Sequence, residues 1–146
     1  MIDKKDEKIL EELARDAKQT SKQISKRTLI PITTVHNRIK KLERLGIIKN
    51  YTIQLNDQAL GTLSAYVMIL VDYKALNGGR GSQHELIQSL QVNPAVEYAC
   101  MLTGSFDIMI KIRVKDTPEL NEFVTKHLRN MDGIQSTQTM IILNET

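Results

Sequence analysis

The spacing of apolar residues changes period once along this chain, and that change limits the folds open to it. From Ile2 to Leu45 the apolar residues recur at helical intervals, whereas from Ser64 onward they gather into short continuous runs separated by helical stretches. A chain of 146 residues makes one ordinary domain or two small ones. The change of period favours two, a helical unit over residues 1–55 and an α/β unit over 63–146, with Asn56 to Thr62 as a linker marked by Asn56, Asp57 and Gly61.

The first unit predicts three helices. Residues 3–16 carry Ile9, Leu10 and Leu13 on one side, with Asp3 placed to cap the start. A short second helix is capped by Thr20 or Ser21, points Ile24 inward and breaks at Leu29-Ile30-Pro31, since proline disfavours helical backbone in the residue before it. A third runs from about Thr33 to Leu45 and stops at Gly46. The β-prone run Ile47 to Ile53, turning at Lys49-Asn50, reads as a hairpin. Three helices and a wing make a winged helix-turn-helix.

Charge sharpens that reading. The net charge of +3 hides a block over residues 18–49 with nine Lys/Arg and one Asp/Glu. Such a block is an electrostatic footprint for phosphate, although a plain solvated basic face would look the same on charge alone. At 100° per residue, Val35, Ile39 and Leu42 of the third helix share one side while Thr33, Asn37, Lys40 and Arg44 share the other, flanked by Thr34, His36 and Lys41. These are groups a major groove accepts. Lys40 and Arg44 suit phosphate or guanine, Asn37 suits adenine, and Thr33 suits a thymine methyl; Thr34, His36 and Lys41 fall where edge or phosphate contacts would lie. Arg38 sits nearer the apolar side, where a structural pair with a carboxylate on another helix is expected.

The second unit predicts strands at 64–72, 96–102, 107–114 and 134–143 and helices at about 83–93 and 117–131, in the order β-α-β-β-α-β. That is the ferredoxin-like arrangement, so the fold class is α+β. The first two strands are apolar on both parities. Two helices cover one face of a four-stranded sheet, so the other calls for a partner, most simply a second copy of the chain in a homodimer; the sequence leaves open whether such dimers assemble into octamers.

Several classes of function find no support. His36, His84, His127 and Cys100 lack metal-ligand spacing, Gly78-Gly79-Arg80-Gly81 is neither a P-loop nor a dinucleotide fingerprint, and no nucleophile elbow occurs. The lone Cys100 is expected to be a buried strand residue and Glu11-Glu12 an exposed pair. No apolar run is long enough for a bilayer, and the mixed-charge start MIDKKDEK is unlike a secretory leader, so a cytoplasmic protein is expected. Neither an enzyme activity nor a cofactor is expected.

The stretch from Thr33 to Ile48, TTVHNRIKKLERLGII, resembles the recognition helix and wing of the Lrp/AsnC family of leucine- and asparagine-responsive regulators. Asp3-x-x-Asp6-x-x-Ile9-Leu10 is similar too, as are the turn Thr103-Gly104-Ser105-Phe106-Asp107 and the final strand from Gly133-Ile134 through Thr137 and Thr139. The resemblance covers essentially the whole length, with departures: Leu29 and Pro31 stand where the family commonly has a glycine turn and a serine cap, and the loop at 73–82 is longer than usual. It implies a DNA-binding regulator whose C-terminal RAM-type domain assembles the protein and takes a free amino acid between subunits. For that ligand, Gly104, Ser105 and Phe106 offer approachable backbone N–H groups, Asp107 a counter-charge for the ammonium, and Thr137 and Thr139 hydroxyls. Each has a plainer role: Gly104 as a tight turn, Asp107 as its cap, the threonines as edge-strand residues. The residues leave open an architectural protein of the same build that wraps double-stranded DNA without an effector. The sirohaem decarboxylases resemble these regulators as well, but the basic block and the scarcity of histidine in the second unit argue against a tetrapyrrole.

Overall fold

The computed structural model describes residues 2–144. It divides into two compact units, Met1–Gln54 and Leu55–Thr146.

The N-terminal unit holds α1 (Lys4–Arg15), α2 (Ser21–Thr28) and α3 (Ile32–Arg44). Asp3 caps α1, its carboxylate accepting from the backbone N–H of Lys5 and Asp6 while Asp6 reaches back to the N–H of Asp3. Thr20 and Gln23 form the same reciprocal box at α2. Ile9, Ile24, Ile30 and Val35 make the core, with Leu13 and Ile39 packed against it. Burying each such aliphatic side chain stabilises the unit by about 1.5–3 kcal/mol, which is how three short helices hold together. Glu12 is buried rather than on an exposed face. Arg15 (3.0 Å) and Arg27 (3.2 Å) both pair with it.

The end of α3 shows why Gly46 was legible. The Ile47 N–H donates to the Leu42 carbonyl and the Gly46 N–H to that of Glu43, with Gly46 at φ 68°. This is the Schellman pattern, which needs a left-handed residue at that place. Beyond it, residues 47–56 run without a strand. The two-stranded ladder expected around Lys49-Asn50 is therefore not formed; the segment is tied back instead by the Tyr51 hydroxyl donating to Glu43 Oε1 at 2.8 Å.

The C-terminal unit begins with a single helical turn, α4 (Asp57–Leu60), inside the stretch expected to be a plain linker. Asn56 caps it through the Ala59 N–H. Then follow β1 (Leu63–Val71), a 3-10 turn (Leu76–Gly79), α5 (Gln83–Gln91), β2 (Val96–Met101), β3 (Ile108–Val114), α6 (Thr117–Glu122) and β4 (Ile134–Ile141). α6 continues through a π-type turn, Phe123–His127, and a 3-10 turn, Leu128–Asn130. The strands order as β2-β3-β1-β4, all neighbours antiparallel. The expected βαββαβ sheet is present.

Register sorts the strand residues by face. Ala65, Val67 and Ile69 lie opposite Ile112, Ile110 and Ile108 of β3 and Val71 opposite Ile134 of β4, and all four pack with Leu86, Leu90, Leu120, Phe123 and Leu128 from the helices. The opposite face carries Tyr66, Met68 and Leu70 of β1, Met109 of β3, Tyr98 and Cys100 of β2 and Met140 of β4, half-buried or exposed. Cys100 is thus a half-buried residue of that second face. Arg113 lies at one end of it, ion-paired with Asp57 of α4 and with Glu97 of β2.

Candidate functional site

Two regions carry the polar chemistry. The first is α3. Val35 and Leu42 are buried and Ile39 is half-buried, which turns the other side of the helix outward. Thr33, His36, Asn37, Lys40, Lys41 and Arg44 are all exposed and Thr34 is half-buried, so the seven expected residues fall on one accessible surface. Among the described residues, neither a hydrogen bond nor an ion pair engages the side chains of Asn37, Lys40, Lys41 or Arg44. Their charge and donor capacity is free for a ligand, and three unpaired cations within about one turn of helix form a strip that attracts phosphate.

Arg38, on the same helix, is different. Its Nη1 donates to both carboxylate oxygens of Asp3 at 2.7 Å and to Asp6 at 2.8 Å. The hydrogen bond from Arg38 and the backbone N–H of Asp6 hold the Asp3 carboxyl down at about 2. Burial pushes the Asp6 carboxyl up, but the Arg38 bond and the Asp3 N–H outweigh it and leave it below its ordinary value. Arg38 therefore clamps α3 onto the start of α1, the structural pair its position on the helix predicted. Arg27 of α2, inside the basic block, is likewise held by Glu12.

The second region is the end of the sheet where β3 starts. Gly104 takes φ 124°, and the space where its side chain would project is open for 4 Å. Ser105 is exposed and Phe106 half-buried. The Asp107 carboxylate is held from within: Oδ2 accepts from the Val71 N–H at 2.8 Å, and Oδ1 accepts from the Tyr73 hydroxyl at 2.9 Å and from Gln83 Nε2 at 3.3 Å. It fastens the turn to β1, to the loop after it and to the start of α5. An ionised carboxylate has about four acceptor positions, so one remains for an ammonium donor. Thr137 and Thr139 sit opposite Ile69 and Val67, hence half-buried on the helix-covered face. Because β1 separates β4 from β3, Thr137 lies two strand spacings from the Asp107 end of β3, roughly 10 Å. The six expected residues thus divide into a turn cluster and an edge-strand pair.

With these surfaces placed, the likeness to known proteins becomes informative. Residues 2–49 match a winged helix-turn-helix DNA-binding domain, and residues 64–146 match the Lrp/AsnC ligand binding domain. The chain belongs to the Lrp/AsnC family. It is similar to the HTH-type transcriptional regulator FL11 of Pyrococcus furiosus, 36% identical over 143 residues that cover 98% of this chain and 90% of that protein. Among solved structures it is similar to AsnC of E. coli, with a TM-score of 0.73 at 25% identity over 99% of this chain and 94% of that one. A Neisseria meningitidis transcriptional regulator solved as an L-Met complex has the same fold, with a TM-score of 0.77 at 24% identity over 99% and 92% of the two chains. This member of the Lrp/AsnC family is accordingly a transcription regulator with a DNA-binding helix-turn-helix and a ligand-binding domain. No helix among the described residues is long and apolar enough to cross a membrane.

Two features of this Lrp/AsnC chain escaped the sequence. Tyr73 and Gln83 reach Asp107 across 34 and 24 residues of chain, a distance at which sequence carries no pairing signal. Leu29 takes a left-handed backbone, φ 59°, at the end of α2. Its signal was present as the departure from the family's glycine, and the conformation glycine would serve has been kept.

Proposed function

We propose that this Lrp/AsnC regulator binds specific sequences of double-stranded DNA through the outward surface of α3, and that a free amino acid bound between subunits of the C-terminal unit modulates that binding. The observation that carries the first half is the contrast along α3: Arg38 is consumed by Asp3 and Asp6 while Lys40, Lys41 and Arg44 stand unpaired beside Asn37 and Thr33. Folding alone does not require three adjacent free cations on one surface.

The effector reading is supported by the L-Met complex of a protein with the same fold, by the open space at Gly104 and by the remaining acceptor position on Asp107. Gly104, Ser105 and Phe106 face the ligand carboxylate with backbone N–H groups in this reading, and Asp107 faces the ammonium; Thr137 and Thr139 serve from the edge strand. The second sheet face, with Tyr66, Met68, Leu70, Met109 and Met140, takes a second copy of the chain in this reading, and the two α3 helices of such a dimer are expected to read half-sites about one DNA turn apart, roughly 34–36 Å.

The test is a salt titration of binding to DNA upstream of the protein's own gene and to random DNA, with and without each of the twenty amino acids. A steep salt slope, a large preference for the upstream DNA and a shift with one or a few amino acids support the reading. A steep slope with neither preference nor response supports an architectural protein. Lys40→Ala with Arg44→Ala is expected to abolish binding while leaving the oligomer intact; unchanged affinity at moderate salt overturns the assignment of α3.

A further inference from the structure

Leu29 is the one non-glycine residue among those described with a positive φ, and it is 89% exposed. Glycine would take that backbone without the clash a Cβ brings. The leucine gains nothing from the core, which Ile24, Ile30 and Val35 fill, and its isobutyl group stands in water. Pro31 and Ile32 continue the pattern, Ile32 opening α3 at 46% exposure. Leu29 and Pro31, in the turn between α2 and α3, and Ile32, the first residue of α3, are thus exposed apolar residues at the N-terminal end of the helix whose outer side carries Thr33, His36, Asn37, Lys40, Lys41 and Arg44. A residue kept in a strained conformation where a free one was available points to use.

The position indicates the use. In a helix-turn-helix the first residues of the recognition helix come closest to the base edges. The one apolar group that base pairs present in the major groove is the C5 methyl of thymine. The surrounding strip of unpaired cations complements phosphate and would sit poorly against an apolar protein partner.

We propose that Leu29 and Ile32 pack against thymine methyl groups, so that this protein selects thymine at one or two positions of each half-site next to the base pairs met by Thr33 and Asn37. The proposal rests on the reading of α3 as the DNA-contacting helix and adds to it a base preference set by two apolar side chains. It involves no change in phosphate contacts, so preference and salt dependence separate.

The experiment starts from duplexes that the full-length protein selects out of a random-sequence pool. Each thymine of a selected duplex is then replaced, one at a time, by deoxyuridine, which pairs identically and lacks only the methyl. Wild-type protein is expected to lose about three- to fourfold in affinity at one or two thymines per half-site, the value of one buried methyl-sized group. Leu29→Asn keeps a side chain that tolerates the left-handed backbone, and Leu29→Gly relieves the strain. Both are expected to bind more weakly with an unchanged salt slope and to lose the deoxyuridine penalty at one position; Ile32→Ala is expected to lose it at the neighbouring one. Wild-type protein indifferent to deoxyuridine at every thymine overturns the proposal, as does a penalty that persists in all three variants. Failure of wild-type protein to select or bind any duplex at low salt removes the DNA reading of α3 itself.

Discussion

Among the glycines with a left-handed backbone, Gly133 has the least room. It lies just before β4 at φ 86°, and a Cβ built on it would fall 2.4 Å from Leu76 Cδ1, 2.8 Å from Leu76 Cβ and 3.1 Å from Leu76 Cα. Leu76 is itself buried in the core of the C-terminal unit. The side chain could swing its Cδ1 aside, but the α-carbon belongs to the backbone and yields only if the turn at Leu76–Gly79 shifts. Gly133→Ala therefore meets two costs. Left-handed backbone costs an L-residue about 1–2 kcal/mol, and overpacking a filled core costs about 1–3 kcal/mol. Together they come to about 2–5 kcal/mol, a fall in Tm on the order of 20 °C for a unit of this size. The assay is urea unfolding of the full chain at fixed protein concentration, since self-association makes apparent stability concentration-dependent. A double-mutant cycle isolates the clash. Leu76→Ala alone costs about 2–5 kcal/mol as a cavity; combined with Gly133→Ala it relieves the clash, so the two are expected to fall short of additivity by about 1 kcal/mol or more. If Gly133→Ala lies within about 0.5 kcal/mol of wild type, or the two costs add, the close approach of Leu76 is not what requires glycine here.

Four further outcomes follow from the same geometry. Leu29→Gly is expected to stabilise the N-terminal unit by up to about 1 kcal/mol, the left-handed penalty less the added chain entropy of glycine; a lower urea midpoint would contradict the strain. Arg38→Met strips Asp3 and Asp6 of their cation. Both carboxyls are depressed in the folded state, so their contribution is present above the ordinary carboxylate value and is lost as pH falls through it toward the value of about 2 held by Asp3. The variant should be less stable at neutral pH and lose less on acidification, read as a flatter unfolding curve between about pH 4 and 2; an unaltered acid branch would refute the clamp. Asp107→Ala leaves the Val71 N–H without its acceptor and should cost about 1–3 kcal/mol. Asp107→Asn keeps an acceptor and removes the charge, so it should fold closer to wild type and lose any amino-acid response; an asparagine variant that still responds places the ammonium elsewhere.

The helices and strands were legible because amphipathic spacing is a local property. Val35, Ile39 and Leu42 mark the buried side of α3 whatever packs on them, and the angle of Arg38 to that side was enough to expect its carboxylate partner. Gly46 and the caps Asp3 and Thr20 act on backbone groups within a few residues, so their chemistry is also written locally. Three expectations failed where the outcome depended on distant chain. A ladder from Ile47 to Ile53 needs pairing that the segment does not find, and the Tyr51 bond to Glu43 takes its place. Glu12 looked like a surface acid beside Glu11, yet it is buried and paired with Arg15 and with Arg27 of the next helix. Asp57, in the expected linker, is committed to Arg113, 56 residues away.

The periodicities, the principal helix caps, the basic strip on α3 and the family motifs could be read from the chain order, because each is set by neighbours along the chain. Only the tertiary structure decided which charges remain available. Arg27, Arg38, Asp107 and Lys40 are all charged residues in promising motifs. Arg27 and Arg38 are consumed in ion pairs, Asp107 is largely spent on its own turn and Lys40 is free, because a charge is neutralised by whatever the fold brings within about 3 Å of it, and the chain order holds no record of that.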